Sequence, residues 1–326
     1  MAICTFNART LASEARIEDR MMQARKIKYD VIGLTETRRH RPLHAVFETG
    51  EELFLGTCDS RGVGGVGVLV NTHLAMNIYS YESLTTRIGR LRLRRCGSTP
   101  ALTDFVVYAP TSSYDEEELA IYMDLEKLCR EDLTFFKVIV GDFNANIGAR
   151  RTTEELHIGT HGMEWNKQGE RLSEFIMSTH TNHGNSQFQK PSHSRWTWES
   201  PGGQFHNEID HFIINRKFCL TDVAVVPKLE TIVSSALDSA FQCVERKLRS
   251  SGNEAPRLWS IGITSLHWRV CGKIPSTTTS MKNTTGSSNI PPYIPSFHSH
   301  RFVYTLSWRG HFVTRRYGRK EPFQSI

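Results

Sequence analysis

An apolar run in the middle of the chain ends in a carboxylate and a carboxamide that lie two residues apart. Residues 138–144 read Val-Ile-Val-Gly-Asp-Phe-Asn, so Asp142 and Asn144 directly follow a predicted buried strand. Because side chains alternate along an extended chain, we expect Asp142 and Asn144 on one side and Phe143 in the core. Oxygen-rich side chains at the end of a buried strand suit the chemistry of phosphate groups. Asp and Asn at such a position also cap their own backbone, so a turn without a function is an open alternative.

Four more polar side chains stand at the ends of predicted strands. Asn7, Glu36 and Tyr108 precede Asp142 in the chain, and Asp210 follows it. Hydrolysis of a phosphodiester requires a metal ion, a group that activates water, donors that hold the phosphate, and help for the leaving oxygen. Magnesium prefers hard oxygen ligands, which makes Glu36 the first candidate ligand. Two alternatives stay open: Glu36 could pair with a neighbouring arginine, and Tyr108 could be a core aromatic.

Residues 1–230 alternate short apolar runs with polar, helix-like stretches, which is the pattern of an α/β fold with helices covering its sheets. Eight runs rich in β-branched or aromatic residues are predicted strands. They span Ile3–Phe6, Val31–Leu34, Val66–Val70, Leu91–Arg94, Phe105–Tyr108, Val138–Val140, Trp196–Trp198 and Ile209–Ile214. The predicted helices span Glu14–Lys28, Asp115–Arg130 and Gly169–Thr179.

A glycine-rich stretch, Arg61–Gly67, invites a comparison with phosphate-binding loops. It lacks the Gly-Lys-Ser/Thr ending of such loops and leads into a predicted strand, not into a helix. We therefore predict a tight turn between two strands.

The positive charge of the chain is concentrated near its end. The 326 residues include 40 Lys and Arg against 34 Asp and Glu, a net charge of +6. Residues 231–326 hold 13 of the basic residues and 4 of the acidic ones, a net of +9, which leaves −3 for residues 1–230. The overall basicity therefore says little about what the α/β part binds. Apolar periodicity fades in residues 231–326 and Ser, Thr and Pro dominate, so we predict a largely disordered basic tail there.

The seven cysteines form no C-x-x-C pair. An odd number without paired spacing argues against a disulfide framework and against a thiolate zinc site. No apolar run approaches the ~20 residues of a membrane span, and the chain opens without the apolar segment of a signal peptide. We therefore expect a soluble, intracellular protein without a membrane partner.

The polar residues fall within an ordered series of motifs. These motifs are Thr5-Phe6-Asn7, Leu34-Thr35-Glu36, Val107-Tyr108-Ala109-Pro110, Gly141-Asp142-Phe143-Asn144 and Ile209-Asp210-His211-Phe212. The series resembles the endonuclease/exonuclease/phosphatase superfamily of apurinic endonucleases, DNase-I-like nucleases, inositol phosphatases and non-LTR retrotransposon endonucleases. Residues 7–11, 141–145, 195–201 and 207–211 further resemble an RTE-type retrotransposon endonuclease. The resemblance covers about residues 1–230 and implies a four-layer α/β/β/α sandwich with two mixed sheets packed face to face.

The resemblance also implies a role for each motif residue. Asn7 and Glu36 would hold Mg²⁺, or alternatively Mn²⁺, and Tyr108 would contact the scissile phosphate. Asp142 would assist the nucleophile or the leaving group, and Asn144 would orient the attacking water. The implied role of Asp210 is to orient a catalytic histidine.

That histidine is missing from the expected position. In the family it ends a Ser-Asp-His element about 25 residues after the orienting aspartate, which corresponds to Ser235 here. Residues 233–235 read Val-Ser-Ser instead. Because a serine hydroxyl cannot replace imidazole near neutral pH, we expect impaired activity.

These observations predict a magnesium-dependent phosphodiesterase, the DNA endonuclease domain of a non-LTR retrotransposon, with impaired activity. Two alternatives stay open. One is a non-catalytic remnant that binds nucleic acid weakly through arginines such as Arg38, Arg39 and Arg41 and through the basic tail. The other is a phosphomonoesterase of the same superfamily, because a fold does not fix a substrate. DNA is the expected partner, and a nuclear location follows only from that partner.

Overall fold

The computed structural model describes residues 1–95, 101–111 and 115–226 of the chain. The predicted disordered tail, residues 231–326, lies outside the described residues, so that prediction and the boundary at residue 230 stay predictions.

Within the described residues the first sheet has five strands, in the order β1-β2-β5-β4-β3. These strands are β1 (Ile3–Asn7), β2 (Val31–Thr35), β3 (Leu43–Val46), β4 (Glu52–Leu55) and β5 (Gly67–Val70). β1 and β2 are parallel, whereas the other neighbours are antiparallel. The parallel register sets Asn7 beside Thr35, so the residues that follow β1 and β2 leave the sheet at one edge.

The second sheet has six strands in the described part of the chain, in the order β10-β13-β9-β8-β7-β6. They are β6 (Ile78–Ser83), β7 (Ile88–Leu93), β8 (Leu102–Tyr108), β9 (Phe136–Asp142), β10 (Asn182–His183) and β13 (Asp210–Ile214). Two further short strands, β11 (Trp198–Glu199) and β12 (His206–Asn207), form a separate hairpin. β8 and β9 are parallel and set Tyr108 beside Asp142. β13 runs antiparallel to β9 and begins at Asp210, opposite Asp142.

Four α-helices occur in the described ranges: α1 (Glu14–Ala24), α2 (Thr72–Ala75), α3 (Asp115–Glu131) and α4 (Lys167–Ser178). Short 3₁₀ turns span Asn185–Gln187, Ser192–Ser194 and Lys217–Cys219. Of the helices described, none combines the length and the apolar character that crossing a membrane requires.

Three apolar clusters define the layers of the fold. One lies between the sheets and includes Val31 of β2 and Val140 of β9. The second includes Ile139 of β9 and Leu125 of α3, and the third includes Ile17 of α1 with residues of the first sheet. Alternation along β9 explains why Val140 and Ile139 face opposite layers. The layers therefore run from α1 through the two mixed sheets to α3 and α4, which confirms the predicted four-layer α/β/β/α sandwich.

Two glycines permit close approaches that position the edge of the sheets. A Cβ on Gly33 would lie 2.9 Å from Val140 Cγ2, so a side chain there would push the two sheets apart. Gly141 has a φ of +152°, and a Cβ on it would lie 1.8 Å from the carbonyl oxygen of Val107. Only glycine fits at position 141, which lets β9 run close to β8 and deliver Asp142 beside Tyr108.

Two predicted elements differ most from the structure, while the bounds of the others differ by at most three residues, as in β7, which spans Ile88–Leu93 rather than Leu91–Arg94. Of the predicted strand Trp196–Trp198, only Trp198 is in a strand, and the buried hydroxyl of Thr197 accepts hydrogen bonds from the amides of Ile209 and Asp210. The predicted helix Glu14–Lys28 ends at Ala24, where a turn leads the chain into β2. The glycine-rich stretch forms a turn between β4 and β5, as predicted.

Candidate active site

Four of the predicted residues meet at one edge of the two sheets. Asn7, Tyr108 and Asp142 end β1, β8 and β9, and Asp210 begins β13. The Nδ2 of Asn7 donates to Asp142 Oδ2 at 2.8 Å. Asn7 and Asp142 are each 2% exposed, so this hydrogen bond is shielded from water. It joins the carboxyl end of β1 in the first sheet to the carboxyl end of β9 in the second sheet.

Glu36 directly follows β2 and lies at the same edge. Its Oε1 accepts from the Tyr108 hydroxyl at 2.5 Å, and its Oε2 accepts from Arg38 at 3.0 Å. The pairing of Glu36 with an arginine, which the sequence left as an alternative, is therefore present. Tyr108 belongs to the core between the sheets, yet its hydroxyl reaches the edge. Both Glu36 oxygens consequently have partners in this structure.

The segment after β9 places Asn144 beside Asp142. The backbone amide of Asn144 donates to Asp142 Oδ1 at 3.1 Å, which is the capping turn that the sequence allowed. Phe143 between them is fully buried, as alternation predicted. Asn144 Nδ2 donates to the carbonyl of Ala109 at 2.9 Å, which fixes the amide and makes its Oδ1 the group able to accept a hydrogen bond from a water.

Asp210 is the least satisfied polar side chain of the site. It is 1% exposed, and neither carboxylate oxygen has a hydrogen-bond partner among the described residues. A buried carboxylate without a partner is strongly unfavourable. The position of Asp210 therefore fits a side chain that is completed by a further group.

Burial and mutual repulsion shape the electrostatics of the site. Burial raises the pKa of Asp142 to about 7, and the charge of Glu36 adds to this shift while the Asn7 hydrogen bond opposes it. Burial and the charge of Asp142 raise the pKa of Asp210 well above its usual value. Burial, together with Glu36, also raises the pKa of Tyr108, so its hydroxyl stays protonated and able to donate. These shifts favour the neutral acids, and a cation would stabilise the ionised carboxylates in their place.

The donor set suits a hard divalent cation. Side-chain oxygens of Asn7, Glu36, Asp142 and Asp210 gather at one edge, and magnesium prefers such ligands. Among the residues that the structure describes, no group of three or more His, Cys, Asp or Glu side chains is already arranged as a metal site. Because Glu36 is hydrogen-bonded to Tyr108 and Arg38, its binding to a cation requires an exchange of those bonds.

Backbone strain is concentrated around the same residues. Five non-glycine residues of the described chain have positive φ, and four of them belong to the segments just described. They are Arg9 at 56°, Glu36 at 50°, Arg38 at 52° and Asn144 at 49°. Such conformations are unfavourable for residues with a Cβ and are typical of functional sites.

Three residues that support the site were not singled out from the sequence. Thr197 holds the amide of Asp210 at 3.2 Å, and Asn185 donates to the carbonyl of Asp210 at 3.0 Å. The guanidinium of Arg87 lies 5.4 Å from the centre of the Tyr108 ring. Thr197 lies in one of the motifs of the resemblance, whereas no sequence signal marks Asn185 or Arg87. Ser234 and Ser235, where the catalytic histidine was expected, lie outside the described residues.

The chain matches the family model described as Endonuclease/Exonuclease/phosphatase family over residues 4–239. Craniofacial development protein 2 from Bos taurus is 27% identical over 227 residues, which cover 66% of this chain and 36% of that protein. The protein of the same name from Tragulus javanicus is also 27% identical over 227 residues, covering 66% of this chain and 37% of that protein. The chain therefore spans about a third of the length of these relatives.

Solved structures similar to this chain include a bacterial phosphatase and a retrotransposon endonuclease domain. The 3′ phosphatase NExo from Neisseria, bound to a product DNA hairpin, is 14% identical with a TM-score of 0.50, and the match covers 69% of this chain and 91% of that one. The endonuclease domain of TRAS1, a telomere-specific non-LTR retrotransposon, is 12% identical with a TM-score of 0.48, over 69% of this chain and 90% of that one. At 14% identity the likeness to the phosphatase is a likeness of fold alone.

Proposed function

Because the chain belongs to the endonuclease/exonuclease/phosphatase family, we propose that it is a magnesium-dependent DNA endonuclease domain of retrotransposon origin whose hydrolytic activity is impaired. The observation that carries the proposal is the hydrogen bond between Asn7 and Asp142. It brings residues 135 positions apart together at the edge where Glu36, Tyr108 and Asp210 also lie. Members of the family generally use divalent metal ions.

Glu36 and Asn7 are the residues that would hold the ion. When bound, Mg²⁺ supplies positive charge against the phosphoryl oxygens of the substrate. Tyr108, whose hydroxyl now donates to Glu36, would donate it to a phosphate oxygen of the substrate instead. Tyr108 suits this role, because its raised pKa keeps the hydroxyl protonated and able to donate.

Asp142 and Asn144 act on the water and the leaving oxygen. A pKa of about 7 lets Asp142 accept or donate a proton near neutral pH. Asn144, with its amide fixed on Ala109, offers its Oδ1 to the attacking water. The turn in which the Asn144 amide donates to Asp142 Oδ1 holds the two residues next to each other at this edge.

The impairment concerns the partner of Asp210. In the proposed mechanism Asp210 orients an imidazole, and the sequence offers Ser235 where that imidazole is expected. The carboxylate of Asp210 is buried and has no hydrogen-bond partner among the described residues, and residues 233–235 lie outside them. A serine hydroxyl neither carries a positive charge nor acts as a base near pH 7.

Exposed arginines beside the site support a nucleic-acid substrate. Arg38 has half of its side chain exposed and lies next to Glu36, and Arg41 is exposed two residues after Arg39. Guanidinium groups form bidentate hydrogen bonds with phosphates. The motif residues 195–201 and 207–211, which resemble RTE-type endonucleases, favour a phosphodiester over a small phosphomonoester.

A non-catalytic remnant that binds nucleic acid is the second candidate, and the +9 charge of residues 231–326 favours it. Binding through that segment depends on the release of counterions, so it should weaken steeply with salt and survive Asp142→Ala. Catalysis requires Asp142 and a divalent ion. Measurements of DNA affinity at several salt concentrations, with and without residues 231–326, therefore separate the two candidates.

Glu36→Gln is expected to weaken Mn²⁺ binding by the full chain at least about tenfold, because it removes the charged ligand. Isothermal titration calorimetry measures this effect without reference to activity. Glu52→Gln is the matched control, since Glu52 lies in β4 of the same sheet and is paired with His44 at 2.9 Å. Equal Mn²⁺ affinities of Glu36→Gln and the natural chain would contradict the assignment of Glu36.

A further inference from the structure

Two buried histidines lie beside the candidate active site, and none of the roles above uses them. His183 in β10 and His211 in β13 are both fully buried. His211 directly follows Asp210, and its side chain points to the other face of the strand. His183 Nε2 lies 2.9 Å from His211 Nδ1, and His211 Nε2 lies 2.7 Å from the carbonyl oxygen of Ala145. Ala145 directly follows Asn144.

The partners of the two rings fix the direction of every hydrogen bond between them. The carbonyl of Ala145 can only accept, so the Nε2 of His211 carries a proton and donates it. The Nδ1 of a neutral His211 must then accept from the Nε2 of His183. The Nδ1 of His183 in turn accepts from the hydroxyl of Ser186 at 2.8 Å. Both imidazoles are therefore neutral and protonated on Nε2 in this chain of bonds.

The surroundings favour the neutral form of both rings. Burial lowers the pKa of His211 to about 4, and burial together with His211 lowers the pKa of His183 well below its usual value. Two adjacent imidazolium ions in a dry core would be strongly unfavourable. The network is therefore a fixed connection rather than a proton relay to solvent.

We propose that His211, held by His183, is a positioning residue that fixes the Asn144–Ala145 turn against the start of β13, where Asp210 lies. The inference rests on the proposed function, because it assigns the network to the same catalytic edge. The imidazole of His211 donates a hydrogen bond to the carbonyl of Ala145, in the turn that carries the side-chain amide of Asn144. His211 itself lies in β13, the strand that begins with Asp210. His211 touches no substrate in this role and acts through Asn144.

Two features explain why the turn needs such a restraint. Asn144 has a φ of 49°, in the left-handed region that is less favourable for residues with a Cβ, although asparagine adopts it more readily than most. The strand on the other side is itself clamped, because Asn185 accepts from the amide of Phe212 at 2.9 Å and donates to the carbonyl of Asp210 at 3.0 Å. His211 therefore ties this turn to a strand that is held by further hydrogen bonds.

NMR of the full-length, uniformly ¹⁵N-labelled chain tests the geometry directly, because it reports both the histidine rings and the side-chain amide of Asn144. We expect His183 and His211 to be neutral Nε2–H tautomers near neutral pH. In His211→Leu the side-chain amide signal of Asn144 should shift, because the turn loses its restraint. Thr103→Val is the matched control, since it removes a buried hydroxyl that lies within hydrogen-bond distance of Asp132 and Thr134, away from the catalytic edge. It should leave the Asn144 signal unchanged.

Kinetics test the consequence in a chain that carries Val233→Ser, Ser234→Asp and Ser235→His. His211→Leu should lower kcat about 10- to 100-fold with KM changed less than about twofold, because misplacement of Asn144 affects the transition state more than binding. His211→Gln should recover most of kcat, since a glutamine amide can donate to Ala145 and accept from His183. A role in stability alone would give equal kcat for His211→Leu and Thr103→Val.

The outcomes separate this inference from the proposed function. Protonated or Nδ1–H histidines, an unmoved Asn144 signal, or equal kcat for His211→Leu and Thr103→Val would each overturn it. If the background chain does not cleave DNA, the proposed function fails, while the tautomers and the Asn144 signal still decide the positioning role. Nε2–H tautomers with a shifted Asn144 signal and a kcat recovered by glutamine support it.

Discussion

A chain with Ser-Asp-His restored at residues 233–235 is expected to nick supercoiled DNA about 10²- to 10⁴-fold faster than the natural chain, which is the usual contribution of a general acid or base. The change is Val233→Ser, Ser234→Asp and Ser235→His. The restored imidazole would meet the buried carboxylate of Asp210, which has no partner among the described residues. Initial rates of plasmid nicking in Mg²⁺ measure the effect.

The matched control for this restoration carries Val233→Ser and Ser234→Asp with Ser235→Asn. Asparagine has a side chain of similar polarity but cannot act as an acid or a base, so this chain should remain as slow as the natural one. Equal rates for the natural and the restored chains would mean that the imidazole is not the missing group.

Asp104→Val is expected to raise the free energy of unfolding at pH 8 by about 4 kcal/mol, which corresponds to the rise of the Asp104 pKa from 3.8 to about 7. Asp104 lies in β8 between Leu102 and Val106, which face the core between the sheets. It is fully buried, and within the described chain neither of its carboxylate oxygens has a hydrogen-bond partner. Burial raises its pKa from 3.8 to about 7. Urea unfolding at pH 5 and pH 8 measures the difference.

The sign of the pH dependence follows from the raised pKa. Below about pH 4 the acid is neutral in both the folded and the unfolded chain. As the pH rises from about 4 to about 7, only the unfolded chain releases the proton, so the folded state loses stability over this range. Asp104→Asn is the control, because it removes the titration but keeps unpaired polar atoms. If the stability difference between the natural chain and Asp104→Asn were equal at pH 5 and pH 8, Asp104 would not titrate as described.

Much of the fold could be predicted because local pattern and burial agree. The run Val138–Val140 is apolar on both faces, and the structure buries both. Val138 and Val140 pack in the first cluster, between the sheets, and Ile139 packs in the second cluster. The motif residues could be found for the same reason, since each stands where a buried strand begins or ends. Alternation also predicted the buried position of Phe143.

The strands that were not predicted lack this agreement. β6 reads Ile-Tyr-Ser-Tyr-Glu-Ser and lies at the edge of its sheet, so partial exposure removes the apolar signal. β3 and β4 are four residues long, and their pairing comes from the sheet rather than from their own propensity. Contacts between segments that are distant in the chain could not be predicted from the sequence either. The bond from Asn7 to Asp142 and the pairing of His183 with His211 depend on tertiary structure that no local pattern encodes.

The most direct test of the central claim, that this edge of the sheets is a metal-dependent phosphodiesterase site, is nicking of supercoiled plasmid by the restored chain with and without Asp142→Ala. Asp222→Ala is the matched control, because Asp222 is half-exposed and pairs with Lys190. We expect nicking by the restored chain and by its Asp222→Ala variant in Mg²⁺, none after chelation of the metal, and none from a folded Asp142→Ala variant. Nicking by the Asp142→Ala variant at the rate of its parent would contradict the assignment of the site.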